Sequence, residues 1–328
     1  MRIVVSGDVE RTAPQSGNIA WLNHLIKTQV EWLSSTPVEL HNEGKALPLK
    51  QWLKLQRNLN KEYHLNWLLR DFQPKDTLYI CFEAPYLFRH QAPDVGARYL
   101  DVWIHPARFM DDLVLGVRSN YLDLSQFAIS EDRMRLEASL VSAGMAHVAG
   151  VACAPNSVLI VGQTPFDRSV IDQGELVELN DKVNEVKSLI EGHDQVLYKP
   201  HPHEMAKDND HIAYFMREVG LNKDNIVHTH AYRLLAEKNI SKVVGLSSSL
   251  LYEAKYFGKN SKTILNPWWN DLVPISAKTF LSFDFWRYCL SPLMKVNENV
   301  PKMEVPYYHS MLRKLARTYW GYDILDKQ

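Results

Sequence analysis
Along the chain, short apolar runs that stop abruptly at polar residues alternate with longer stretches in which apolar residues recur every three or four positions. The first pattern marks buried parallel strands and the second marks amphipathic helices. Strands are expected at residues 2–6, 38–40 and 77–82, and another from Asp101 that ends in His105-Pro106. Helices are expected at 19–33, where Ile19, Leu22, Leu25, Ile26, Val30 and Leu33 share one face, and at 48–69 and 131–141. After Ala154-Pro-Asn156, a plausible linker, the alternation resumes. Strands are expected at 157–161, 196–199, 226–230, 243–246 and 263–265, and helices at 180–190, 211–219, 231–238 and 250–257. The pattern predicts an α/β protein with a first domain at 1–152, a second at 153–300 and a basic, aromatic helical segment at 301–328.

Two stretches organise the second half. Val196 to Tyr198 reads as a buried strand that Pro200 and Pro202 forbid to continue, so His201 and His203 sit in a loop at a strand's carboxyl end. Val243 to Leu246 reads as a second strand, after which Ser247, Ser248 and Ser249 open a helix closed by Gly258. Ligands of open α/β sheets bind at the carboxyl ends of strands, and a hydroxyl-rich helix start suits a phosphate.

Composition narrows the picture. Hydrophobic residues make up 46% of 328 and charged residues 23%, enough for a full core. A net charge of −1 leaves no overall field for nucleic acid, so no nucleic-acid partner is expected. Cys81, Cys153 and Cys289 lack metal-ligand spacing and fit buried thiols in a reducing compartment. The N-terminus enters a strand at once without a signal-peptide pattern, and no run of about 18 apolar residues exists, so a cytoplasmic protein is expected. Nine tryptophans and fifteen tyrosines suit core and interface packing, with some left for stacking on a ligand. The aromatic tail around Tyr319, Trp320 and Tyr322 either packs back on the first domain or lies on the inner membrane surface.

Lys199-Pro-His-Pro-His203 and the run from Gly245 to Lys259 resemble the His-Pro and Ser-Ser motifs of bacterial transferases that use CMP-activated sugars, among them sialyltransferases and Kdo transferases. Gln163-Thr-Pro-Phe-Asp167 resembles the Gln-x-x-x-Asp loop of the retaining β-Kdo transferases of capsule and lipopolysaccharide assembly, with Thr-Pro-Phe where small residues are commoner. The resemblance runs from Val161 to Lys259. It implies a GT-B-like architecture: two doubly wound Rossmann-type domains facing a cleft, and a C-terminal helix crossing back. It implies CMP-β-Kdo as donor and an oligosaccharide or glycolipid as acceptor. His201, Pro202, Ser247, Ser248 and Ser249 would hold the donor phosphate, with Arg168, Lys199 or Arg108 near the sugar carboxylate, and Glu253 would bind ribose. Asp167 would be the nucleophile of a double displacement and Gln163 would position it.

For the acceptor hydroxyl, a base is needed. Glu83, at the end of the 77–82 strand, is the first candidate, followed by Asp111 and Asp112. The stretch 101–112 has the look of a motif without a readable role. Each residue has a plainer reading: helix capping for the serines, an Asx-turn for Asp167, a solvated helix position for Glu253. No cofactor or metal is expected, on the reading that the chain has neither an Asp-x-Asp motif nor a cluster of His and Cys. Alternatives are an inverting CMP-sialic acid transferase, a non-catalytic glycan-binding module and a UDP-sugar epimerase, the last disfavoured because no glycine-rich loop follows the first strand.

Overall fold
A computed structural model describes residues 1–8, 15–44, 46–57, 74–163, 167–172, 175–201 and 209–299. Its strands are β1 (Arg2–Gly7), β2 (Val38–Leu40), β3 (Thr77–Phe82), β4 (Arg98–Ile104), β5 (Val114–Ser119), β6 (Ser157–Val161), β7 (Ile171–Asp172), β8 (Glu175–Leu176), β9 (Gln195–Lys199), β10 (Ile240–Gly245), β11 (Asn260–Thr263) and β12 (Val273–Ser276). Its helices are α1 (Ser16–Ser34), α2 (Leu49–Arg57), α3 (Tyr86–Gln91), α4 (Glu131–Met145), α5 (Val183–Ile190), α6 (Asn209–Glu218), α7 (Ala231–Ala236), α8 (Ser249–Ala254), α9 (Ala277–Phe280) and α10 (Phe283–Leu290). None of the described helices is long and apolar enough to cross a membrane.

The chain divides into two units. The first takes Met1–His105, Asp112–Ile129 and the chain from Asp271 onward; the second takes Pro106–Asp111 and Ser130–Asn270. The alternation in the sequence places α4 before the boundary, but α4 groups with the second unit, as does the hexapeptide between β4 and β5. Strand β12 and helices α9 and α10, expected in neither form nor place, return to the first. The expected segment 301–328 lies outside the described residues.

In the first unit a six-stranded sheet has the order β12-β5-β4-β3-β1-β2. β1 to β4 run parallel; β5 pairs antiparallel with β4, and β12 pairs antiparallel with β5 and so runs in the same direction as β1 to β4. β3 is buried at every position, as a central parallel strand should be. Successive residues point to opposite faces. Ile3, Val5, Leu78, Ile80 and Phe82 meet the Ile19, Leu22, Ile26, Val30 and Leu33 stripe of α1, together with Phe285 and Trp286 of α10. Val4, Tyr79, Cys81 and Tyr99 meet Phe88 and Ala92 on the other face. Strand β5 hides from periodicity because Gly116 interrupts it. A Cβ there would sit 2.8 Å from a Leu272 methyl, so close packing demands the glycine. Strand β12 contains Pro274, which an edge strand tolerates.

The second unit is built on a four-stranded, wholly parallel sheet of order β11-β10-β6-β9. A small antiparallel pair, β7 with β8, stands apart from it. Val158, Ile160, Tyr198 and Val244 share a core with Val186 and Ile190 of α5 and Phe215 and Met216 of α6. Expected strand 226–230 is reduced to one bridge, Tyr198 to Ile226, because only Val227 among its next residues is buried enough to hold an extended run. The last strand begins at Asn260, three residues before the expected 263.

Numbered by appearance within each unit, both parallel cores read 2-1-3-4. In that order chain connections leave the sheet in opposite directions from its first and third strands, opening a crevice at their carboxyl ends. The crevice lies between β1 and β3 in the first unit and between β6 and β10 in the second.

Candidate functional site
At the second unit's switch point the loop after β6 meets the loop after β10. The buried Ser247 hydroxyl donates to the carbonyl of Ser169 (2.6 Å). Ser169 in turn gathers the Gln-Asp loop: its N–H donates to Asp167 Oδ1 (2.8 Å), and its hydroxyl accepts from Gln163 Nε2 (3.1 Å). Asp167 thus makes the Asx-turn that is its plainer reading, starting a 3₁₀ turn at Arg168–Val170. Arg168 is part-buried beside it. Ser248 stands at the cap position of α8, yet its side chain makes no capping hydrogen bond, and Ser249 is the first helical residue. Simple capping therefore does not account for the serines. Close approach of β10 to β6 requires Gly245, where a Cβ would lie 2.7 Å from a Val161 methyl. A Ser247→Ala protein is expected to lose about 1–3 kcal/mol of stability by orphaning the Ser169 carbonyl. Chemical denaturation checks this, and an unchanged midpoint would show that the two loops are independent.

On the other side of β6, Gly162 N–H donates to the Lys199 carbonyl (2.8 Å), tying the Gln-Asp loop to β9. His201 follows Pro200 directly and is part-buried; Pro202 and His203 lie outside the described residues. Strands in a sheet lie about 4.8 Å apart, so loops after β9 and β10 stand about 10 Å apart with the Gln-Asp loop between them. All three motif loops share one edge of one sheet.

Lys199 Nζ donates to the Thr229 carbonyl (2.8 Å), and burial holds its pKa below the usual lysine value. Next to Thr229, His230 caps α7 by accepting the Tyr232 N–H on Nδ1 (3.1 Å), which assigns its proton to Nε2. Burial, and then the charge of Lys199, lower the His230 pKa. Sequence reasoning placed Ile226-Val-His-Thr-His230 on a strand and gave it no role. The two histidines at alternate positions after an apolar pair were the available signal.

Glu253 is not a solvated helix residue. It is fully buried, and its Oε1 accepts from Arg108 N–H (2.8 Å) and from the Tyr232 hydroxyl (2.8 Å). Desolvation pushes its pKa up to about 7, against the charge of Arg108 and those hydrogen bonds. Phe109 packs on Tyr256 and Phe257, so the Pro106–Asp111 segment is anchored in the second unit by both polar and aromatic contacts. Asp111 is exposed, and its N–H donates to Glu137. Asp112 is buried in the first unit, where its carboxylate accepts from Lys278 N–H (3.4 Å).

Glu83 stands in the first unit just after β3; the buried Asp8, just after β1, donates its N–H to the carbonyl of the preceding Phe82 (3.4 Å). Glu83 Oε2 accepts from Gln15 Nε2 (3.4 Å). Among the described residues no three His, Cys, Asp or Glu side chains group as metal ligands. The expectation of no metal rests in part on the absence of an Asp-x-Asp motif, and that ground is wrong: the chain carries Asp208-Asn-Asp210, of which Asp208 lies outside the described residues.

Residues 116–266 match the family model described as Alpha-2,8-polysialyltransferase (POLYST), a span that includes every motif loop of the second unit. No curated protein matches the chain. Among solved structures the chain is similar to Thermosulfurimonas dismutans KpsC, beta Kdo 2,7 transferase, at 12% identity and a TM-score of 0.39, covering 79% of this chain and 77% of that one.

Proposed function
We propose that this chain is a glycosyltransferase that moves a 2-ulosonic acid sugar, Kdo in the first reading, from its CMP-activated form to a glycan or glycolipid acceptor. One observation supports it most: the hydroxyl loop after β10 is bonded to the Gln-Asp loop after β6 at a switch point, with Lys199 at the end of the next strand and His201 in the loop after it. The polysialyltransferase match over this same span supports the donor class.

In this reading CMP leaves as an anionic phosphate monoester, so the site must balance growing negative charge rather than protonate a poor leaving oxygen. Lys199 supplies the fixed charge, and His201, Ser247 and Ser248 supply donors. Arg108 or Arg168 would face the sugar carboxylate, and Glu253 would bind ribose directly or through the segment it anchors. Retention requires Asp167 to attack the anomeric carbon after leaving its turn with Ser169, with Gln163 orienting it. Glu83 would take the proton of the acceptor hydroxyl.

Two observations favour a second reading, inverting transfer of sialic acid: the family match names sialic acid, and the Asp167 carboxylate is already committed to its own turn. Inversion needs the base and no nucleophile. Rapid-quench intact mass with CMP-β-Kdo and, separately, with CMP-sialic acid separates the two. Retention predicts a sugar adduct on the parent protein, none on Asp167→Ala, and at least a 10²-fold loss of turnover in that variant. Full turnover by Asp167→Ala, with no adduct on the parent, would leave only the inverting reading.

A further inference from the structure
Asp101 opens the 101–112 stretch, and the donor chemistry leaves it without a task. Its side chain is fully buried in β4. β4 pairs with β3 so that Asp101 stands beside Cys81 and Val102 beside Phe82. One residue further on, Glu83 donates its N–H to the Val102 carbonyl (2.9 Å), and the chain then turns sharply. The next N–H, that of Ala84, donates to Asp101 Oδ1 (2.7 Å). Asp101 Oδ2 faces Arg118 Nε at 3.2 Å and Arg89 Nε at 3.7 Å. A carboxylate this deep needs such partners, and two guanidinium groups from β5 and α3 provide them.

The turn so held is strained. Glu83 has φ +52°, a left-handed conformation in which any Cβ crowds the following carbonyl. Glycine adopts it freely, yet here a glutamate occupies it, at the carboxyl end of β3 on the switch point of the first unit. Backbone strain kept around a reactive side chain is a functional signature when surrounding contacts over-determine it. Here they do: two backbone N–H groups in succession are pinned, one to the neighbouring strand and one to a buried, doubly ion-paired carboxylate.

We infer that Asp101, clamped by Arg89 and Arg118, is a positioning residue that holds Glu83 in its left-handed turn for proton transfer from the acceptor. The inference rests on the transferase reading and on Glu83 as its base. Among the described residues, the charged groups on the elements that flank this turn include the buried Asp8 just after β1, Asp101 of β4, and Arg118 of β5 and Arg89 of α3, both of which pair with Asp101. Removing the Asp101 charge takes a negative charge away from the turn that carries Glu83, which favours the ionised form of Glu83.

The test uses the full chain, with CMP-β-Kdo and CMP-sialic acid as donors, water as acceptor, and CMP release as readout. Asp101→Asn, and the gentler Arg118→Lys should the first fail to fold, are expected to lower kcat at least 10-fold with KM for the donor unchanged. In Asp101→Asn the acid limb of the pH–rate profile should move to lower pH. Glu83→Gly should lose activity yet melt about 2–4 °C above Glu83→Ala, because glycine relieves the strain. A folded Asp101→Asn or Arg118→Lys protein with parental kcat and acid limb overturns the inference while leaving the transferase reading intact. If the parent releases no CMP from either donor, the transferase reading fails and melting alone decides the clamp. Asp101→Asn then costs fewer degrees in a Glu83→Gly background than in the parent if the clamp acts on residue 83. Equal costs overturn it.

Discussion
A Lys199→Met protein is expected to transfer sugar about 10²- to 10³-fold more slowly than its parent, the range seen when one fixed charge-stabilising donor is removed from a developing oxyanion. Methionine keeps the apolar stem and removes only the ammonium, so β9 should keep its packing. The Thr229 carbonyl loses its donor, which costs about 1–3 kcal/mol and is checked by melting in the absence of ligand. pH carries a second signature. Burial holds the Lys199 pKa below its ordinary value, so the parent loses the ammonium as pH rises through that depressed value. Activity should therefore fall on the alkaline side sooner than a free lysine would dictate, and this limb should vanish in Lys199→Met. Parental turnover and an unchanged alkaline limb in the variant would remove Lys199 from the site.

Glu253→Gln is expected to change how stability depends on pH more than any other single substitution considered. The carboxyl is raised to about 7 in the folded chain by burial, against an ordinary value of 4.5. Between those values the folded state holds a proton that the unfolded chain has released, so folding weakens as pH rises through the window. The contribution is absent below about pH 4.5 and complete above about pH 7, and its size is on the order of 3 kcal/mol. Glutamine has no proton to lose and still offers an oxygen to Arg108 N–H and the Tyr232 hydroxyl. Denaturant unfolding of parent and variant at pH 5 and pH 8 should therefore diverge, with the variant gaining relative to the parent at the higher pH. Parallel curves would mean that Glu253 is ionised in the folded chain like any surface carboxylate.

Much of the architecture was legible because parallel strands and their helices write strong patterns. The stripe of α1 from Ile19 to Leu33 and the unbroken apolar run of β3 needed no tertiary information. Strands β5 and β12 did, since Gly116 and Pro274 are tolerated only because of what packs against them and where the sheet ends. The grouping of Pro106–Asp111 and α4 with the second unit was also invisible, because nothing local says which core an amphipathic face will join.

For the site, the three motif loops declared themselves by proline after a strand, by repeated serine and by a carboxylate in a loop. Their common edge follows from an all-parallel sheet. What could not be read was the hub at Ser169, the Lys199–Thr229–His230 arrangement and the burial of Glu253. Each depends on residues 20 to 150 positions apart meeting in space. Glu83 was read as a strand-end carboxylate; its left-handed backbone was not, because the contacts that hold it there, from Asp101 and Val102, come from a neighbouring strand.

The central claim is that the second unit's switch point accepts a cytidylate phosphate, and ligand-induced stabilisation reads it directly. A ligand that binds only the folded chain raises stability by about 2.7 kcal/mol at 100 times its dissociation constant. Melting the full chain with CMP, UMP, UDP and GDP at matched concentrations should give the largest upward shift with CMP, and that shift should shrink in Lys199→Met. Stabilisation by UDP in preference to CMP, or a CMP shift of equal size in Lys199→Met, would contradict the claim.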